Sequence, residues 1–333
     1  MRLISAVFML LVAHTALAFE IRPLGPYRGG NDPASSWPVL YYRADNVANQ
    51  CKPKSYVVRG QMQGVHEYIT RNAYQIAYGK VLRGVTWQIP LLGGVEWNDD
   101  PEELARKAWH YGGVKMLLAY GKRIDNPSLE DKITRRSHFG DMQFLHAMLP
   151  LGMENDQDAA KAKIMDWIKA TYEVAIGNVE ANSLRKESFY HTYFGKIGCG
   201  RTAAESRTKD CSVMDVFDMK LMYRVNGDLN LSLQWLATGS IAHIIQDSFS
   251  ASHADRSNGR FIMKTYDATN QLDHCESDGA VARNKPNIER AISATSGFFV
   301  LVRDKAPWSR AEPYFKALFA VPTTPETFTK IAQ

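Results

Sequence analysis

From Gln61 onward the apolar residues of this chain recur at helical spacing, and that period constrains its architecture more than any other feature. Val65, Ile69, Ala73 and Ile76 lie three and four residues apart, so on a helix they form one apolar stripe. Strand-like alternation is rare and short. The pattern predicts an all-α fold, a single multi-helix domain over residues 61–333. Helices are expected at about 102–122, 140–151, 157–177, 212–226, 229–248, 285–303 and 309–320. Residues 92–101, with Leu92-Gly93-Gly94 and Asn98-Asp99-Asp100-Pro101, read as a loop whose acidic run caps the helix after it. The polar stretch 178–211 is the one candidate boundary, and one domain is the simpler reading.

What precedes the helices reads differently. Arg2, the apolar run Leu3 to Val12 and the small-x-small pattern Ala16-Leu17-Ala18 give residues 1–18 the order of a signal peptide. That apolar run is too short for a bilayer, which takes roughly 20 residues. Residues 19–60, rich in Pro, Gly, Asn and Arg, read as an irregular leader. No later run is long and apolar enough to span: Leu229 to Ile245 is interrupted by Gln234, Thr238, Ser240 and His243. The expectation is an exported soluble protein, extracellular or periplasmic, without a transmembrane anchor. The net charge of +5 comes from interleaved acids and bases, with no basic block of the kind that marks nucleic-acid tails.

Four cysteines, an even number in an exported chain, suggest two disulfides. Cys199 and Cys211 bracket a short polar loop and are expected to pair locally, which leaves Cys51 with Cys275. A thiolate zinc site is disfavoured because there is no CxxC pair.

The chemistry concentrates in residues 242–278. His243 and Asp247 are four apart and share a helix face, where they can grip one cation. His253 follows six residues later, and His274 and Asp278 repeat the four-residue spacing. One such pair is usually a solvated helix face; two pairs flanking a further histidine are harder to dismiss. Imidazole nitrogen with carboxylate oxygen suits zinc. His110 and His191 match no pattern and read as structural or surface residues. His146, in an apolar segment, reads as a core histidine, with a supporting role for it or for Asp141 beside His138 as the alternative. Tyr68 and Trp97 read as core before they read as pocket walls.

The order of His243, Asp247, His253, His274 and Asp278 resembles the signature of the bacterial zinc-dependent phospholipase C family, related to the zinc nucleases that cut single strands. Three upstream segments resemble the same template. Val65-His66-Glu67-Tyr68 resembles its first helix, Gly94-Val95-Glu96-Trp97-Asn98-Asp99 the loop with its catalytic aspartate, and Arg136-Ser137-His138-Phe139 its Ser-His-Phe element. The family more often has Glu where Asp278 stands.

The resemblance implies a helical zinc-enzyme fold with three zinc ions, or two where the N-terminal amine is not a ligand. His138, His243 and Asp247 would hold the first, with Asp99 touching it. His253, His274 and Asp278 would hold the second. The third falls to His66, bridging Asp247 and the mature N-terminus, expected at Phe19. Asp99 would be the catalytic residue that orients or deprotonates the attacking water. The implied activity is phospholipase C, releasing diacylglycerol and a phosphorylated headgroup by attack of zinc-bound hydroxide, with phospholipid at a membrane surface or in micelles as substrate. Two other classes remain: a single-strand nuclease or nucleotidase, the only reading that involves nucleic acid, and a non-catalytic secreted protein stabilised by zinc.

Overall fold

The computed structural model describes residues 65–82, 89–99, 101, 133–195, 197–199, 210–217, 227–257, 259–266, 277 and 284–320. In chain order the helices are α1 Val65–Tyr78, α2 Pro90–Trp97, α3 Ile133–Phe139, α4 Gln157–Ala175, α5 His191–Phe194, α6 Met214–Phe217, α7 Leu229–Asp247, α8 Lys285–Arg303 and α9 Trp308–Leu318. Short 3₁₀ turns cover Gln143–His146 and Arg185–Glu187. The strands β1 Ala254–Asp255 and β2 Ile262–Met263 pair antiparallel, Ala254 opposite Met263. The described chain is thus mostly helical, as the periodicity predicts.

Local chemistry sets the helix ends. The Asp156 carboxylate accepts from the Ala159 amide at 2.9 Å to start α4, and Asp228 does the same for Leu231 at 3.0 Å to start α7. Such caps are each worth about 1 kcal/mol. At the end of α1, Gly79 takes φ 64 and its amide bonds back to the Gln75 carbonyl at 2.9 Å.

Helix α7 is the hub. From Leu236 to Asp247 every residue is buried, and the helix packs on α2, α4 and α8, while α1 packs on α8. A helix apolar on all sides needs such neighbours. Trp97, at the end of α2, stacks on Trp167 of α4 at 5.8 Å and donates its indole N–H to the Val216 carbonyl at 3.0 Å. Trp97 and Tyr68 are therefore core residues. No helix among the described residues is long and apolar enough to cross a membrane.

Three expectations need correction. Residues 92–97 are helical, not loop: Gly93 and Gly94 lie in α2, and at Gly94 the backbone presses against α7, where a side chain would collide. Residues 140–151 form turns and one 3₁₀ segment rather than a helix. In α1 the buried stripe runs Val65, Ile69, Ala73, Ala77, a strict four-residue step, which turns Ile76 outward to 63% exposure. Of the expected 212–226 helix, Met214–Phe217 is described, and the expected helix at 102–122 lies outside the described residues. Residues 1–64, with the expected signal and leader, lie outside them too.

Cys199 and Cys211 form a disulfide. Cys51 and Cys275 lie outside the described residues.

Candidate metal centre

At the C-terminal end of α7 the 3.6-residue turn puts His243 and Asp247 on one face, both fully buried, with the Asp247 carboxylate 2.9 Å from His243 Nε2. Asp99 arrives from the end of α2. Its neighbour Asn98 locks that end in place: the Asn98 amide donates to the Leu145 carbonyl at 2.8 Å and the Ser240 carbonyl at 3.2 Å, and its oxygen accepts from Ser240 Oγ at 2.7 Å. His138 comes from the last turn of α3, and His66 from the first turn of α1.

His253 is delivered by the turn that follows α7. Arg256 pins that turn, lying between the Phe249 and Phe261 rings at 4.5 and 4.6 Å. Its guanidinium donates to the Ser248 carbonyl at 2.7 Å and to the Leu318 carbonyl at 2.9 Å. Burial, with Arg290 nearby, lowers the Arg256 pKa to about 9.

Four of the histidines share one orientation. Each turns Nδ1 to an oxygen acceptor: His66 to Gln246 Oε1 at 2.5 Å, His138 to the Thr134 carbonyl at 2.9 Å, His243 to the Val95 carbonyl at 2.8 Å and His253 to the His146 carbonyl at 2.7 Å. A carbonyl can only accept, so Nδ1 carries the hydrogen, and in the neutral ring Nε2 keeps its lone pair. This outer-sphere arrangement fixes the tautomer of metal-binding histidines. Behind His66, Gln246 is fixed in turn by donating to Thr70 Oγ1 at 2.8 Å.

The carboxylates lie among these rings. His66 Nε2 is 3.2 Å from Asp247 Oδ1, and His138 Nε2 is 3.6 Å from Asp99 Oδ1. His66 stacks on His243 with centroids 4.1 Å apart. Three overlapping triplets have ligand atoms that all lie within 4.8 Å of one another: His66, Asp99 and His243; Asp99, His138 and His146; His146, His243 and Asp247. A buried set of nitrogen and carboxylate donors with prearranged tautomers fits a borderline divalent cation such as zinc.

Crowding so many titratable groups out of water shifts their protonation. Burial pushes the Asp99 carboxyl up to about 7, against the downward pull of His243, His66 and His253 and with the Asp247 charge adding to the rise. Burial acts on Asp247 in the same sense, but His243, His253 and His66 and the His146 hydrogen bond outweigh it and hold that carboxyl well below the usual range. Burial also holds His146 well below an ordinary histidine, its bond to Asp247 restoring only part. For His66 burial is likewise the largest influence and a lowering one, yet Asp247, Asp99 and Gln246 together carry it above the usual value.

Six of the expected site residues thus come together: His66, Asp99, His138, His243, Asp247 and His253. His274, Asp278 and the expected N-terminus at Phe19 lie outside the described residues. His146 follows the alternative reading from sequence, a polar role beside His138, with ring centroids 4.7 Å apart. It is no mere core histidine: Nδ1 lies 3.0 Å from both Asp247 Oδ2 and His243 Nε2. No spacing rule pointed to it, because it enters on a 3₁₀ turn eight residues after His138. Asp141 stands apart, in a two-pronged pair with Arg136 at 2.8 and 2.9 Å. His191 is exposed, as expected. Comparison of the chain with family models, curated proteins and solved structures gives no match.

Proposed function

We propose that this chain is an exported zinc-dependent phosphodiesterase whose activity is that of a phospholipase C. The observation that carries this reading is the buried gathering of five histidines around two aspartates, with Asp99 shared by two of the three ligand triplets. Sites that join imidazoles through shared carboxylates suit clustered dications, whereas a purely structural zinc is usually enclosed by one closed set of four ligands.

His66, His138, His243, His253, Asp99 and Asp247 would hold the ions. Bound zinc supplies positive charge that offsets the phosphodiester anion and makes water more acidic. The protein's own groups do the rest. The Val95, Thr134 and His146 carbonyls and Gln246 orient the rings, so little reorganisation is needed as charge develops. Asp99, buried beside His138 and His146, would orient or deprotonate the attacking water. The deep burial of the ligands keeps bulk water from screening these charges.

The lipid reading is favoured by the wording Asp247-Ser248-Phe249-Ser250-Ala251-Ser252-His253, closer to the phospholipases than to the nucleases. Export is supported by the signal-like start and by the Cys199–Cys211 disulfide, a bond that persists in oxidising compartments.

The test is hydrolysis by the zinc-loaded protein of phosphatidylcholine vesicles and of single-stranded DNA, each with and without a chelator. Chelator-sensitive diacylglycerol release, lost in Asp99→Asn, is the expected result. DNA cleavage alone moves the chain to the nuclease branch. No turnover by a zinc-replete protein makes the metal structural.

A further inference from the structure

His146 breaks the pattern of the other histidines. Its Nδ1 points into the cluster, 3.0 Å from Asp247 Oδ2 and 3.0 Å from His243 Nε2, while those two atoms are 2.9 Å apart. A tetrahedral ion with bonds of about 2.0–2.1 Å sets its ligand atoms about 3.3 Å apart. The three edges are within a few tenths of an ångström of that spacing.

We infer that His146 is a metal ligand through Nδ1, joining His243 Nε2 and Asp247 Oδ2 on one ion. The inference rests on the zinc reading above and adds a ligand that the sequence pattern did not contain.

The neighbouring groups support this assignment. His243 donates Nδ1–H to Val95, so its Nε2 offers a lone pair to His146. A cation at the centre of the triangle satisfies that lone pair, the carboxylate and the His146 nitrogen at once, whereas a single shared proton leaves one of the three short. A ring-nitrogen lone pair serves one ion only. The short edges place His243 with His146 and Asp247 rather than with Asp99, whose Oδ2 is 3.8 Å from the nitrogen already bonded to Val95.

The backbone aims the ring. Gln143–His146 is a 3₁₀ turn closed by Ala147 at φ 53, a conformation that L-residues with a side chain rarely adopt. That turn presents the His146 carbonyl to His253 Nδ1 at 2.7 Å. One residue therefore contributes its ring to one ion and its carbonyl to the orientation of another ligand.

Loss of affinity alone does not decide the matter, because removing a hydrogen-bond partner of a ligand already costs about 10–100-fold. The deciding readout is the nitrogen itself. In ¹⁵N-labelled protein, long-range ¹H–¹⁵N spectra of the imidazoles are compared with zinc and after its removal. The His146 Nδ1 resonance is expected to move to the metal-bound position on zinc addition, with Nε2 protonated. Zinc per chain and the visible spectrum of the cobalt-substituted protein are then measured for His146→Ala, where one ion is expected to be lost and the cobalt bands to change.

Nδ1 protonated in the zinc-loaded protein overturns the inference and leaves His146 a hydrogen-bond partner of Asp247. So does a folded His146→Ala protein with unchanged zinc content and cobalt spectrum. An unsubstituted chain that binds no zinc removes this inference and the zinc reading together. One that binds zinc at His146 without cleaving phosphodiesters removes only the catalytic reading.

Discussion

Gly94 of α2 and Gly239 of α7 meet where the two helices cross. A Cβ on Gly94 would lie 2.1 Å from the Leu236 carbonyl oxygen, and one on Gly239 would lie 2.2 Å from the Leu91 carbonyl oxygen. Both obstacles are backbone, so neither can swing aside. This close approach lets the Val95 carbonyl reach His243 and sets Asn98 against Ser240, so the crossing positions Asp99 as well.

Gly94→Ala and Gly239→Ala are accordingly expected to destabilise the protein by about 3 kcal/mol, the upper end of ordinary overpacking. Each should also lower zinc content, because the helices must part at the site. Urea unfolding and metal analysis of the two variants check this; a variant with native stability and full zinc content would refute the packing argument.

Removal of zinc is expected to lower the melting temperature, and its return to restore it. With free zinc at about 1,000 times the dissociation constant, the gain is about 4 kcal/mol. Thermal melts at several zinc concentrations should show a midpoint that climbs with the logarithm of free zinc. A midpoint indifferent to zinc would mean that the cluster is not a metal site.

Asp99 gives the metal-free protein a defined pH signature. Its carboxyl is raised from 3.8 to about 7, so the folded chain holds a proton that the unfolded chain releases. Stability from this group is fully present below pH 3.8 and is lost as pH rises through about 7. Asp247, held low, acts in the opposite direction: its contribution is present above 3.8 and disappears as pH falls. With chelator present, the stability of Asp99→Asn relative to the unsubstituted chain should increase steadily from about pH 4 to pH 7. With zinc present, the proton must leave, so affinity should fall as pH drops below about 7 and binding should release protons to the buffer.

The Cys199–Cys211 bond closes a short loop, with a sequence separation of 12, and joins the segment after α5 to the segment before α6. Its reduction is expected to cost about 3 kcal/mol, the chain-entropy value for a loop of this size. Zinc content should not change, since neither cysteine is among the clustered ligand groups. Parallel unfolding curves with and without reductant provide the measurement.

The long helices α4, α7, α8 and α9 were legible in the sequence because their apolar periods are long and their starts well marked, as at Asp156 and Asp228. Helix α2 was not, because Gly93-Gly94 is turn chemistry by local rules. The presence of α7 against it explains Gly94. The site divides in the same way. His243, Asp247 and His253 follow from spacing, and His66, Asp99 and His138 from resemblance. His146 depends on a left-handed Ala147 and a 3₁₀ turn, neither of which leaves a trace in residue periodicity.

The three ligand triplets draw on stretches far apart in the chain; the His66–Gln246 contact alone spans 180 residues. Among the residues of the three triplets, His243 and Asp247 are the one pair that a single helix could offer an ion. Closing the remaining loops carries an entropy cost before any ion can reward it. Metal capture should therefore be among the last events of assembly. Zinc is expected to leave the refolding rate almost unchanged and to slow unfolding, acting as a latch on a finished structure rather than as a nucleus for it.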